Sequence, residues 1–184
     1  MSALSIAASL AFVSWAGLLL FRGDFWRADQ RLADAPEPTR WPEVAAVMPA
    51  RNEAAGVGQA IASLLAQDYP GRFAVVLVDD NSDDGTAEIA LRAAAGRGER
   101  LRIVTGAPLA SGWTGKLWAV HQGLAEAERI APAAAYVLLT DADIVHDSGT
   151  LRRLVARAES EGLDLVSLMV KLRCRAFWEK LLIP

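Results

Sequence analysis

Of the 184 residues, one is cysteine and two are histidine. A lone Cys174 cannot close an internal disulfide, which fits a reducing compartment, and it reads as a packing residue rather than a nucleophile. His121 and His146 stand apart from each other and from any cysteine, so the spacing of a zinc site is missing. His121 reads as a polar or packing residue on a helix. His146, three positions past Asp143, reads as a capping or solvent-facing residue, with approach to a metal held near Asp143 as the alternative. There is no basic tract, and the net charge is -3; no electrostatic footprint for nucleic acid exists, while a phosphorylated ligand held locally stays compatible with that balance. No glycine-rich fingerprint follows the first strand signal, which counts against a nicotinamide or flavin dinucleotide site. Gly115-Lys116 lacks the earlier glycine of a Walker A loop and is followed by leucine, so a phosphate-cradling P-loop is excluded too. No serine sits in a nucleophile elbow, which removes the basis for covalent hydrolase chemistry. Internal repeats are absent.

Charge is also missing from Ser2 to Phe21, a run long enough to span a bilayer as a helix. The flanks lack the basic start and the small-x-small cleavage site of a signal peptide. Arg22, Arg27 and Arg31 follow the run, and Trp15, Phe25 and Trp26 are spaced to sit near an interface. The positive-inside rule then puts the rest of the chain on the cytoplasmic face of a bacterial-type inner membrane. A hydrophobic content of 53% and a mean hydropathy of +0.22 agree with a chain that meets lipid. Pro36, Pro38 and Pro42 lie in a polar stretch that reads as a linker. The expected segments are a transmembrane anchor over 1–22, a juxtamembrane linker over 23–43 and a folded domain over 44–172. Residues 173–184 begin a further half or form an interfacial helix.

Within the domain, strand signals recur at 44–48, 73–78, 101–105, 135–140 and 163–170. Helical patterns fall between them at 54–66, 86–95, 116–129 and 150–161. Alternation of this kind predicts an α/β fold with a mostly parallel sheet and helices on both faces. Ligands of such sheets bind outside the carboxyl ends of the strands, and that is where the unusual residues fall. The first strand runs into Met48-Pro49-Ala50-Arg51-Asn52-Glu53. Amides at the start of the next helix would suit a phosphate or ribose there, or Asn52 would simply cap that helix. The second ends in Asp79-Asp80-Asn81-Ser82-Asp83-Asp84-Gly85-Thr86. Ser82, Asp83 or Asp84 suits a helix cap, whereas Asp79 or Asp80 is placed for a ribose hydroxyl or a base N–H. The third leads to Gly112-Trp113-Thr114-Gly115-Lys116, with Lys116 a candidate for a diphosphate and Trp113 for stacking on a sugar or packing on the domain. The fourth, Val137-Leu138-Leu139-Thr140, meets Asp141-Ala142-Asp143. Carboxylates at alternate positions suit a hard cation, Mg²⁺ or Mn²⁺, that shares its shell with substrate phosphates.

The three segments around Arg51, Asp80 and Asp141-Ala142-Asp143, in that order, resemble glycosyltransferase family 2 with its GT-A fold. The similarity covers residues 44 to about 170. Gly112 to Ala119, together with the membrane span, is similar to the branch associated with hopanoid biosynthesis and related lipid or carotenoid glycosyl transfer. The resemblance implies a nucleotide-diphosphate sugar donor, a UDP-sugar foremost, and inverting transfer to a lipid or isoprenoid acceptor. It implies that Asp80 recognises base or ribose with Pro49, Arg51 and Glu53, and that Asp141 and Asp143 hold the metal and sugar diphosphate. Asp143 would then stabilise the leaving group through the metal. In family members the general base comes from a later acidic motif, so this chain is expected to lack it and to be a fragment or to miss its acceptor half. A sugar nucleotidyltransferase and a non-catalytic, membrane-tethered binding module are the alternatives. The tail from Cys174 to Ile183 reads as a membrane-surface helix or an ordinary packing helix.

Overall fold

The computed structural model describes residues 2–21, 31–171 and 176–182. They fall into two compact units, Met1–Leu32 with Leu168–Pro184, and Ala33–Ser167. In the first unit α1 (Ala3–Phe21) buries no side chain. It has a mean hydropathy of 2.0 and is long and apolar enough to cross a membrane. At 19 residues it extends about 28 Å, close to the thickness of a hydrocarbon core. Arg22, Phe25, Trp26 and Arg27 lie outside the described residues, as do Cys174, Arg175 and Ile183 of the tail.

The second unit carries β1 (Glu43–Ala50), α2 (Val57–Leu65), β2 (Phe73–Asp79), α3 (Thr86–Ala93) and β3 (Leu101–Thr105). α4 (Gly115–Ile130), β4 (Ala134–Leu139) and α5 (Thr150–Glu161) complete it. The strands form one parallel sheet in the order β3-β2-β1-β4. The predicted α/β architecture is therefore the one observed. β1 and β2 are nearly continuous apolar runs because both faces of each are covered. On one face Val44, Ala46 and Met48 of β1, with Val75 and Leu77 of β2, meet Ile61 and Leu64 of α2, Ala90 of α3 and Leu151 and Val155 of α5. On the other, Ala45, Val47, Val76 and Val78 meet Ala119 and Ala127 of α4. The residues just before β1 also pack: Tyr69 donates its hydroxyl proton to the Pro42 carbonyl at 2.6 Å, and Arg152 lies over the Trp41 ring while pairing with Glu37.

The fifth predicted strand, Leu163–Val170, is not formed. Gly162, at φ 64°, ends α5, and the Leu163 N–H is spent on the Ala158 carbonyl. Leu163 to Val166 then line a small cleft of about 100 Å³ against Tyr136, Leu138 and Val155. An apolar run does not by itself secure burial or pairing: Leu165 is 81% and Met169 98% exposed, and no strand pairs with the segment among the described residues. α2 also starts later than the helical pattern suggested, at Val57, because residues 54–56 are used in a turn whose Gly56 and Val57 amides both donate to the Glu53 carbonyl.

Candidate functional site

The order of strands reverses at β1, which has β2 on one side and β4 on the other. At their carboxyl ends this opens the crevice where α/β sheets hold ligands. Pro49 sits on that crevice without harming the sheet. Val47 turns its carbonyl toward β4, where the Thr140 N–H meets it at 3.2 Å. Pro49, two residues on, faces the same side past the last β1–β4 pair, Val47 with Leu139, so its missing N–H breaks no ladder bond.

The loops after β1 and β2 are stitched together. The Asn52 N–H donates to Ser82 Oγ at 2.9 Å, the Glu53 N–H to Thr86 Oγ1 at 2.9 Å and the Ala54 N–H to Asp84 Oδ2 at 2.9 Å. In return the Asp83 N–H donates to Asn52 Oδ1 at 3.0 Å. The Asn52, Glu53 and Ala54 amides are taken by side chains of the second loop and are not free for a ligand. Asn52 does not cap α2, whose cap position is Gly56 without a side-chain bond; it takes a left-handed φ of 56° and braces the second loop. Thr86, fully buried, and Ser82 are structural residues of the site that sequence reasoning missed in this role. The one local signal was the run of capping residue types, which points to a helix start and says nothing of a partner 30 positions away.

The acids of the second loop divide their work. Asp79 accepts the Ser82 N–H at 3.1 Å and shapes the turn. Asp84 accepts from the Thr86 hydroxyl and from the Ala54 and Thr86 amides, which holds its carboxyl below the usual value. Asp80 is the one turned toward the crevice. Its Oδ2 lies 3.5 Å from Arg51 Nη1. A Cβ on Gly115 would stand 3.5 Å from the same oxygen, and one on Gly106 would come within 3.2 Å of the Asp80 Cα. Asp80 is thus held between the ends of β1 and β3 and the start of α4. Glu53 is half-buried at the end of the first loop.

Across the crevice, Lys116 in the first turn of α4 pairs with Asp141 at 2.6 Å. Ala142 is buried, while Asp141 and Asp143 are exposed on either side of it. A Cβ on Gly56 would stand 3.3 Å from the Asp143 Cα and 3.4 Å from the Ala142 carbonyl, so the head of α2 rests directly on this turn. His146 braces it from below. Its Nε2 is 2.9 Å from Thr140 Oγ1, its N–H donates to Ser63 Oγ at 3.0 Å, and burial pushes its pKa down. Neither a capping nor a solvent role describes it. Among the described residues no three His, Cys, Asp or Glu side chains converge as a complete metal cage. Trp113 stacks within its own neighbourhood, with ring centroids 5.4 Å from Trp118 and 5.0 Å from His121, and remains 40% exposed. A larger cleft, about 520 Å³, opens at the opposite edge between Glu43, Arg72, Arg100 and Arg102. It lies at the amino ends of the strands, away from these acids.

Several known proteins are similar to this chain in sequence or in fold. A cyanobacterial relative, the beta-monoglucosyldiacylglycerol synthase of Synechocystis sp., is 35% identical over 116 residues, which is 62% of this chain and 22% of that protein. Among solved structures, the mannosyltransferase PcManGT of Pyrobaculum calidifontis, determined with GDP-Man and Mn²⁺, superimposes with a TM-score of 0.60 at 29% identity. That match covers 84% of this chain and 43% of the mannosyltransferase. S. aureus TarS, determined with UDP-GlcNAc, gives a TM-score of 0.52 at 27% identity over 64% of this chain and 31% of its own. The chain spans less than half the length of each of these relatives. The family model described as glycosyl transferase family 2 matches residues 45–181. With the parallel sheet and the GT-A-like neighbours, that match shows that the chain belongs to glycosyltransferase family 2.

Proposed function

We propose that this chain supplies the donor half of a membrane-anchored glycosyltransferase, binding a nucleotide-diphosphate sugar at the carboxyl edge for inverting transfer to a lipid acceptor. The observation that carries it is the position of α4. Its first two residues bridge the crevice, Gly115 against Asp80 and Lys116 on Asp141. A nucleotide recognised at Asp80 would therefore run its diphosphate past Lys116 toward Asp141 and Asp143. In this reading Asp80, with Pro49, Arg51, Glu53 and the loop shaped by Asp79, holds the base and ribose.

Asp141 and Asp143 offer hard oxygen donors on an exposed turn with no third protein ligand converging among the described residues. That donor set fits Mg²⁺ or Mn²⁺ completed by diphosphate oxygens and water. A cation bound there would neutralise charge on a departing diphosphate. The chain's own contribution is to fix the acids and Lys116 around the leaving group and to keep Asp143 against Gly56. The PcManGT and TarS structures support a nucleotide-sugar donor, and we favour a UDP-sugar over a GDP-sugar. The diacylglycerol-glycolipid relative and α1 support a lipid or isoprenoid acceptor, hopanoid-like by the Gly112–Ala119 segment, met at the cytoplasmic face of an inner membrane by a donor domain spanning 44–172.

Calorimetric titration of the detergent-solubilised chain with UDP and with GDP, each with and without Mn²⁺, tests the site. Metal-dependent binding that Asp141→Ala/Asp143→Ala abolishes is expected. Equal binding by wild type and double variant would remove these acids from the donor site.

A further inference from the structure

The ion pair between Lys116 and Asp141 does more than decorate the crevice. Lys116 stands in the first turn of α4, where the helix dipole is positive and a lysine is disfavoured. No acidic residue shares that turn, and Thr114 at the cap position makes no side-chain cap bond. The ammonium is compensated across the chain, by the first of the two acids proposed for the metal, at 2.6 Å. Both partners are half or more exposed, so the pair is weak and exchangeable.

Resting on the donor-site reading above, we propose that Lys116 couples metal entry to nucleotide entry: with no donor bound its ammonium occupies Asp141 and disfavours a free divalent cation, and an arriving diphosphate draws it away. Two charges then change partners together. The ammonium moves from a carboxylate to a phosphate oxygen, which also suits the amino end of α4, and Asp141 becomes available to the cation that the diphosphate brings. A cation arriving alone must instead displace a like charge and gains no phosphate oxygen. The site should accept the metal with the nucleotide and hold it poorly without. By reciprocity, the factor by which diphosphate tightens Mn²⁺ binding equals the factor by which Mn²⁺ tightens diphosphate binding.

The test is Mn²⁺ binding to the full chain in detergent, followed by the electron paramagnetic resonance signal of free Mn²⁺, for wild type, Lys116→Gln, Lys116→Met and Lys116→Arg. Without nucleotide, the glutamine and methionine variants should bind Mn²⁺ about two- to fivefold more tightly than wild type, and the arginine variant about as wild type, a factor set by the strength of an exposed ion pair. With UDP present, the tightening of Mn²⁺ binding seen in wild type should shrink in the two neutral variants and persist in Lys116→Arg. Neutral variants with wild-type circular dichroism that bind free Mn²⁺ no more tightly than wild type would overturn the coupling while leaving the donor site standing. If wild type binds neither Mn²⁺·UDP nor Mn²⁺·GDP, the donor-site reading itself fails and the coupling falls with it.

Discussion

Gly123 is where α4 approaches the sheet, and replacing it by alanine measures how tightly that helix is set. A Cβ at this position would stand 2.4 Å from Val47 Cγ1 and 3.0 Å from Val78 Cγ2. Carbon atoms in contact prefer about 3.5–4.0 Å, so α4 or β1 must retreat by about 1 Å. Val47 belongs to the central strand and is fully buried, which leaves it little room to yield. Overpacking of this kind costs about 1–3 kcal/mol, and alanine returns about 0.5–1 kcal/mol over glycine within a helix. The net expectation is a loss of up to about 2.5 kcal/mol, or up to about 10 °C in Tm for a chain of this size. Thermal unfolding followed by circular dichroism reads the shift. Val47→Ala makes the space that the new methyl needs, so the double variant should lose less than the two single losses added together, with a coupling of about 1 kcal/mol. A Gly123→Ala chain that melts at or above the wild-type temperature, or strict additivity with Val47→Ala, would refute the close-packing argument.

Two further perturbations address the loops. Thr86→Val keeps the shape of a fully buried side chain but strips the acceptor of the Glu53 N–H and the donor to Asp84; we expect a loss of about 1–3 kcal/mol and faster hydrogen exchange at residues 52–54, and unchanged exchange there would show that the loops are not held by this bond. His146 is kept neutral by burial, its pKa below the ordinary 6.5, so the unfolded chain takes up a proton first as pH falls. Its contribution to stability is complete above about pH 6.5 and is lost on acidification. The wild-type Tm should therefore drop between pH 7 and 5 more steeply than that of His146→Gln, and parallel profiles would exclude His146 as the cause.

What the sequence revealed follows from how local each signal is. β3 and α5 occupy the very residues that the patterns marked, 101–105 and 150–161, because each is bounded by polar or turn-forming neighbours. β1, β2 and β4 appear within two residues of their expected ends, since apolar runs that stop at Pro49, Asp79 and Thr140 are readable one strand at a time. The fifth strand failed because pairing is a property of two segments, and Leu163 had its N–H committed to the cap of α5. The site divides in the same way. That Asp80, Lys116, Asp141 and Asp143 sit at strand or helix ends could be read from the chain. That Asn52 reaches Asp83, or that Lys116 reaches Asp141, could not, because those contacts join residues 25 or more positions apart through a crossover.

The cluster of four acids after β2 shows why a motif should not be given one role. Asp79 and Asp84 are spent on backbone amides, and Asp83 contributes its N–H to Asn52. These bonds fix the path of the loop, and the fixed path aims Asp80. Its carboxylate has a single hydrogen-bonding partner among the described side chains, the 69% exposed Arg51 at 3.5 Å, which is long for a charge-assisted bond. Its direction is instead set by backbone: the Asp80 N–H donates to the Ala50 carbonyl at 2.8 Å, Gly106 closes on one flank where a side chain would crowd the Asp80 Cα at 3.2 Å, and Gly115 lies alongside the carboxylate at contact distance. An acid oriented by the main chains of three elements keeps its aim without a strong side-chain partner. Its oxygens therefore stay available to a hydrogen-bond donor, as the proposed recognition of a ribose or base requires.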